Sequence, residues 1–277
     1  MSELFTDVDG IKITYNLFGE GPPIILLHGF AMYKEFWIAQ KPLIEKFQLI
    51  SLDNRGCGNS SHPIESYEIE DMANDVKNLM DNLNIKKAHV IGHSLGGMIA
   101  QSFALKYPDR LMKLILIATF PKLPLDKSGI EMYRNNQLSM YEAKLKDPKK
   151  GFYEKMKQRF TRNFFKLMVE EPTKTFHNLF TTEDLMELEK RGTSKPPDIL
   201  NLIHAIVNHN TLDLLQKIKN ETLILAGEKD RLTSKLSSIQ MHEKFPNSTL
   251  KVFKGGHFFP LEEAPEVNKC ILDFLSK

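Results

Sequence analysis

Apolar positions along this chain follow two rhythms. The opening residues alternate, Leu4-Phe5-Thr6-Asp7-Val8, then a turn at Asp9-Gly10, then Ile11-Lys12-Ile13-Thr14-Tyr15. Alternation around Asp-Gly predicts a half-buried β-hairpin. Beyond Gly19 to Pro23 the alternation gives way to short, nearly continuous apolar runs at Ile24–Leu27, Leu49–Leu52, His89–Ile91, Leu114–Ile117 and Thr222–Leu225. Such runs suit strands covered on both faces in a mainly parallel sheet. Helical spacing separates them at Ala39–Lys46, Glu68–Leu83, Gly97–Lys106 and Lys235–Lys244, and a last strand, Thr249–Phe253, precedes a helix over Pro265–Ser276. The expected fold is α/β, a mostly parallel twisted sheet with helices on both faces.

One region departs from this rhythm. From residue 121 to 204 there is no buried-strand run, and apolar residues recur at helical spacing among many charges. This predicts a helical cap inserted between two late strands, with residues 1–120 and 205–277 forming the core. Composition adds bounds. The chain has 277 residues, 42% hydrophobic and 26% charged, enough for a large core, and a net charge of +2 provides no basic field for nucleic acid. No apolar stretch reaches membrane-spanning length, and Met1 to Asp7 lacks the basic start and apolar run of a secretory signal. Two cysteines in unrelated contexts, Cys57 and Cys270, read as free thiols. The expectation is a soluble cytoplasmic protein with no stable membrane insertion; nothing in the sequence sets an oligomeric state.

Candidate chemistry centres on Gly92-His93-Ser94-Leu95-Gly96, between an apolar run and a helical stretch. Gly-x-Ser-x-Gly in that setting is a nucleophile elbow, a tight turn that presents the serine at a helix N-terminus. The same string also suits a serine that merely caps a helix. A serine nucleophile needs a base and a group to orient that base. Candidates follow two strand ends: Glu228 and Asp230 in Gly227-Glu228-Lys229-Asp230, and His257 in Gly255-Gly256-His257-Phe258. Ser, Asp and His in this order match one hydrolase architecture, and Glu228 competes with Asp230. His28-Gly29-Phe30 follows the first apolar run, so the backbone N–H groups of Phe30 and Leu95 could form an oxyanion hole. His93 should point away from the site.

With these residues in place, the chain resembles capped serine hydrolases of the α/β-hydrolase-fold superfamily along nearly its whole length. It also carries Asp53-Asn54-Arg55-Gly56-Cys57-Gly58-Asn59-Ser60, similar to that group's Asp-x-Arg-Gly-x-Gly-x-Ser loop, and Lys106-Tyr107-Pro108-Asp109-Arg110 after the elbow helix. The resemblance implies Ser94 as nucleophile, His257 as base, Asp230 as acid, and Phe30 and Leu95 as oxyanion donors, with no cofactor or metal. Asp53 and Arg55 are read as structural, tying their loop by charge-assisted hydrogen bonds. A serine at the elbow points to acyl chemistry on a small molecule, foremost a carboxylic ester with a short to medium acyl or aromatic group. Carbon–carbon hydrolysis of ring-cleavage products, lactone or thioester cleavage, perhydrolysis and a non-catalytic ligand-binding role are the alternatives. Trp37, Phe160, Phe164 and Phe258 are candidate substrate-binding residues. Aromatic residues between Phe152 and Met168 alternate with Lys155, Lys157, Arg159, Arg162 and Lys166. That pattern fits an apolar wall over the site, or a helix burying one face with its basic residues in solvent.

Overall fold

The computed structural model describes residues 3–8 and 10–277; Asp9, half of the expected hairpin turn, lies outside them, as do Met1 and Ser2. Eight strands form one sheet: β1 (Leu4–Val8), β2 (Ile11–Phe18), β3 (Pro23–Leu27), β4 (Gln48–Leu52), β5 (Ala88–His93), β6 (Leu111–Ile117), β7 (Thr222–Gly227) and β8 (Ser248–Phe253). Their spatial order is β1-β2-β4-β3-β5-β6-β7-β8. The β1–β2 and β2–β4 pairs are antiparallel, and every other neighbouring pair is parallel.

The continuous apolar runs divide between two cores. Ile25, Leu27, Val90, Leu114, Leu116 and Ile224 point to one face. Ile24, Leu26, Ile91, Ile115, Leu223 and Leu225 point to the other. The period of two is therefore kept, with both phases apolar because both faces are covered. On the first face pack α1 (Ile69–Asn82) and α2 (Leu95–Lys106); on the second lie the turns of Lys34–Glu45 and α10 (Ala264–Leu275). Each fully buried leucine or isoleucine contributes about 1.5–3 kcal/mol to this packing.

Two expected helices differ. Lys34–Glu45 is a run of 3₁₀ turns with Pro42 inside and non-helical torsions at Trp37, in place of an α-helix over Ala39–Lys46. Proline lacks the N–H that an i to i−4 ladder requires. The elbow helix starts at Leu95, two residues before the expected Gly97. Gly96 reads as a helix breaker in sequence but belongs to the first turn, where a Cβ would collide with the Leu27 carbonyl.

Between β6 and β7 run five helices: α3 (Lys127–Lys146), α4 (Pro148–Arg159), α5 (Arg162–Glu170), α6 (Thr182–Glu189) and α7 (Pro196–Asn208). The expected boundary at 204/205 falls inside α7, whose Leu202, Ala205 and Ile206 join the same core as α1 and α2. The remaining two α-helices among the described residues are α8 (Lys235–Lys244) and the short α9 (Phe259–Glu262).

Candidate active site

The parallel strands end together, and the candidate residues emerge from those ends. Ser94 follows β5 with φ +55° and ψ −118°, a conformation that side chains other than glycine rarely adopt. A Cβ at Gly92 would strike the Gly96 carbonyl, so the turn closes only with glycine there. The strained peptide is braced: Ser94 N donates to Ile117 O at 2.9 Å, and Thr119 Oγ1 donates to Ser94 O at 2.7 Å. The Ser94 side chain makes no capping hydrogen bond to α2, which sets aside the helix-cap reading.

Asp230, three residues beyond β7, and His257, four beyond β8, meet at 2.8 Å between Oδ2 and Nδ1. Asp230 Oδ1 also accepts from the Leu232 and Thr233 amides at 2.8 and 2.9 Å, and Thr233 Oγ1 donates to Oδ2. Burial works to raise the pKa of this fully enclosed carboxyl. The charge of His257 and the hydrogen bonds from His257 and Thr233 outweigh it and hold Asp230 below the ordinary carboxylate range. An ionised acceptor requires Nδ1 to carry the proton, so Nε2 is the basic nitrogen of His257. Glu228 is exposed and lies 3.8 Å from Lys235, so Asp230 is the carboxylate that holds His257.

Ser94 and His257 border one cavity of about 270 Å³, together with Phe30 and Leu95. Among the described residues, no carbonyl takes the N–H of Phe30 or Leu95. The loop carrying His257 is tightly braced. Phe258 N donates to Arg159 O at 3.0 Å, Gly256 N donates to Glu262 Oε2 at 3.1 Å, and a Cβ at Gly256 would strike Arg159 O. His93 also faces inward: its Nε2–H donates to the His257 carbonyl at 3.0 Å, and the two ring centroids are 4.7 Å apart. Burial, with the neighbouring His257, pushes the His93 pKa down to about 3. It is a neutral brace beneath the catalytic loop candidate, contrary to the expectation that it points away.

Of the four candidate substrate-binding aromatics, Phe258 borders the cavity. Trp37, Phe160 and Phe164 do not; they belong to the core on the second face. Phe160 stacks on Phe164 at 4.9 Å and meets the edge of Phe258 at 5.6 Å, one layer behind the wall. Trp37 packs on Phe36 at 5.3 Å. The structure instead brings in Met98, Leu123, Tyr133, Gln137 and Arg159, none singled out by motif. The basic residues around the aromatic stripe split. Lys157, Arg162 and Lys166 are exposed, while Lys155 and Arg159, four apart on α4, turn inward.

Asp53 ties its loop by accepting from Asn59 N at 3.1 Å, and both Asp53 and Arg55 also find partners outside it. Asp53 pairs with Lys34 Nζ at 2.8 Å, and Arg55 clasps Asp75 through two 2.7 Å bonds. Among the described residues, no helix is long and apolar enough to cross a membrane.

Comparison with known proteins finds hydrolases similar over nearly the whole chain. A provisionally named carbamate hydrolase, RutD of Caulobacter segnis, is 28% identical over 292 residues, spanning 97% of each chain. The Pseudomonas putida 2-hydroxy-6-oxononadienedioate/2-hydroxy-6-oxononatrienedioate hydrolase 1 is 28% identical over 283 residues, covering 98% of this chain and 93% of that one. A thermophilic esterase from Thermogutta terrifontis, solved with malate bound, superposes with a TM-score of 0.80 at 25% identity, covering 100% and 98% of the two chains. The sequence profile of the alpha/beta hydrolase fold matches residues 22–264. With its mostly parallel sheet and the elbow between β5 and α2, this chain belongs to the α/β hydrolase fold family and is a hydrolase.

Proposed function

We propose that this chain is a serine esterase acting on small carboxylic esters with short to medium acyl or aromatic groups. The observation that carries the reading is the strained Ser94, its hydroxyl uncommitted to the helix, sharing a cavity with a histidine that a buried carboxylate orients. In this reading His257 Nε2 takes the Ser94 proton as Oγ attacks the carbonyl. The resulting oxyanion accepts from the Phe30 and Leu95 amides, donors worth about 3–4 kcal/mol each in comparable sites. His257 then protonates the leaving alcohol, and water attacks the acyl-enzyme by the same route in reverse.

The reading treats residues 1–120 and 205–277 as the catalytic core and 121–204 as a helical cap over its mouth. It also takes the protein to work in the cytoplasm, supported by Cys57 and Cys270 being unpaired. Wild type and Ser94→Ala compared on a series of nitrophenyl esters test it. Loss of at least about 10³-fold in kcat is expected, given that binding and the oxyanion hole alone leave some residual rate. Equal rates would remove Ser94 from the mechanism.

Carbon–carbon bond hydrolysis is the second reading, supported by the similarity to the Pseudomonas putida hydrolase. Turnover of a ring-cleavage dienoate with negligible ester activity would select it.

A further inference from the structure

The cavity beside Ser94 contains a buried cation for which the ester mechanism has no use. Arg159 closes α4 and is only 8% exposed. Its guanidinium carbon lies 5.6 Å from the ring centroid of Phe258, the residue after His257. Its one side-chain hydrogen bond among the described residues runs from Nη1 to the Lys155 carbonyl, at 3.0 Å. No described carboxylate lies within ion-pair distance of it. The buried carboxylate near this end of α4, Glu189, is already engaged. Lys155 Nζ holds both its oxygens at 2.8 Å, and Lys144 Nζ approaches one at 3.5 Å. Lys155 and Lys144 thus take up Glu189, and the other carboxylate whose charge reaches Arg159, Asp230, is bonded to His257.

A buried, unpaired charge is destabilising, and arginine, unlike lysine, does not escape by losing its proton at neutral pH. Burial pulls the Arg159 pKa down, the charges of Glu189, Tyr133 and Asp230 push it up, and the net direction is downward. The position of the group makes this more than a packing accident. Arg159 borders the Ser94 cavity and also a small neighbouring cavity of about 70 Å³ that contains Lys155 and Glu189. Its unused N–H groups have somewhere to reach, and the reacting serine is in the same space.

We propose that the substrate carries a carboxylate, which Arg159 receives in the Ser94 cavity while the ester carbonyl lies against Ser94. This rests on the esterase reading for the reacting bond and goes beyond it in naming a charged substrate class. One guanidinium fork matches one carboxylate in a bidentate pair, and the dry surroundings strengthen that pair. Met98, Leu123 and Phe258 on the same wall suit the carbon skeleton that joins the two ends.

The test uses two matched pairs of substrates. Mono-(4-nitrophenyl) glutarate against 4-nitrophenyl pentanoate places the charge on the acyl side. 4-Acetoxybenzoate against its methyl ester places it on the leaving group. Wild type should favour the anionic member of at least one pair by about tenfold or more in kcat/KM, a preference of the size that charged hydrogen bonds supply. Arg159→Gln should cut that preference at least about tenfold, chiefly through KM, and Arg159→Lys should keep part of it. A preference for the neutral member in both pairs, or one that Arg159→Gln leaves intact, would overturn the proposal. If Arg159→Gln does not fold, the wild-type pairs and Arg159→Lys carry the test. Calorimetric binding of glutarate to Ser94→Ala, with and without Arg159→Gln, separates the two readings. Arg159-dependent binding without ester turnover would sink the esterase and keep the anion site. Ser94-dependent turnover with no anion preference and no such binding would do the reverse.

Discussion

The loops at the strand ends and the helices between β6 and β7 handle charge and shape in opposite ways. At the strand ends the buried charges are paired, Asp53 with Lys34, Arg55 with Asp75 and Asp230 with His257, and the cation that borders the cavity there, Arg231, is exposed to solvent. Their positions follow from sheet register, which sets Leu27 beside Gly92, His93 beside Ile117, and Gly227 beside Phe253. In the helical region the aromatic stripe folds into core, and one buried cation, Arg159, borders the cavity with no described carboxylate within ion-pair distance. The sheet supplies a rigid frame for a reaction common to many substrates. The helices decide what else a substrate must present.

That contrast can be broken experimentally, most strongly at the strand ends. Asp230→Asn should lower kcat by about 10⁴-fold, because the amide no longer fixes the basic tautomer of His257. Glu228→Gln, two residues away and in solvent, should change kcat/KM by less than about twofold. Similar losses for both would mean that the carboxylates were assigned wrongly. In the helical region, Phe164→Ala should lower stability by about 3–5 kcal/mol through the cavity it leaves, read as a drop in urea midpoint. A raised KM at unchanged stability would instead put Phe164 against the substrate.

Trp37→Phe should be milder. It removes a buried indole N–H that has no partner among the described residues, which offsets the lost volume. Stability should fall by less than about 1.5 kcal/mol, and kcat/KM should stay within about twofold. A much larger loss of activity would return Trp37 to the pocket.

The smallest effect concerns pH. Burial alone pushes the His209 pKa from 6.5 to about 4. The unfolded chain takes up this proton as pH falls below 6.5, and the folded chain resists until about 4. The stabilising contribution is therefore complete above that window and declines on acidification through it. In urea titrations, His209→Gln should flatten the fall in midpoint between these pH values; an unaltered slope would show that His209 is not buried neutral.

Much of the site is visible in sequence because it depends on backbone chemistry next to strand ends. Gly92 and Gly96 are required by contacts within a few residues or with the adjacent strand, so they stand beside Ser94 in every reading of the string. Choosing Asp230 over Glu228 was beyond local pattern, since both follow the same strand and only the approach of His257 separates them. His93 shows the same limit. Its ring turns inward because the His257 carbonyl, 164 residues away, gives it an acceptor.

The sequence by itself determined the sheet, the elbow and the order Ser, Asp, His, because period-two burial and tight turns are written in neighbouring residues. Tertiary structure decided which helix faces look inward. Helical spacing marks a stripe but not what lies opposite it, so Phe160 and Phe164 became core while Arg159, among basic residues that read as solvated, is buried at the border of the Ser94 cavity. Only packing across α4, the β8 loop and α2 brings that charge to the reacting end of the sheet, and no local pattern encodes a meeting of segments so far apart in the chain.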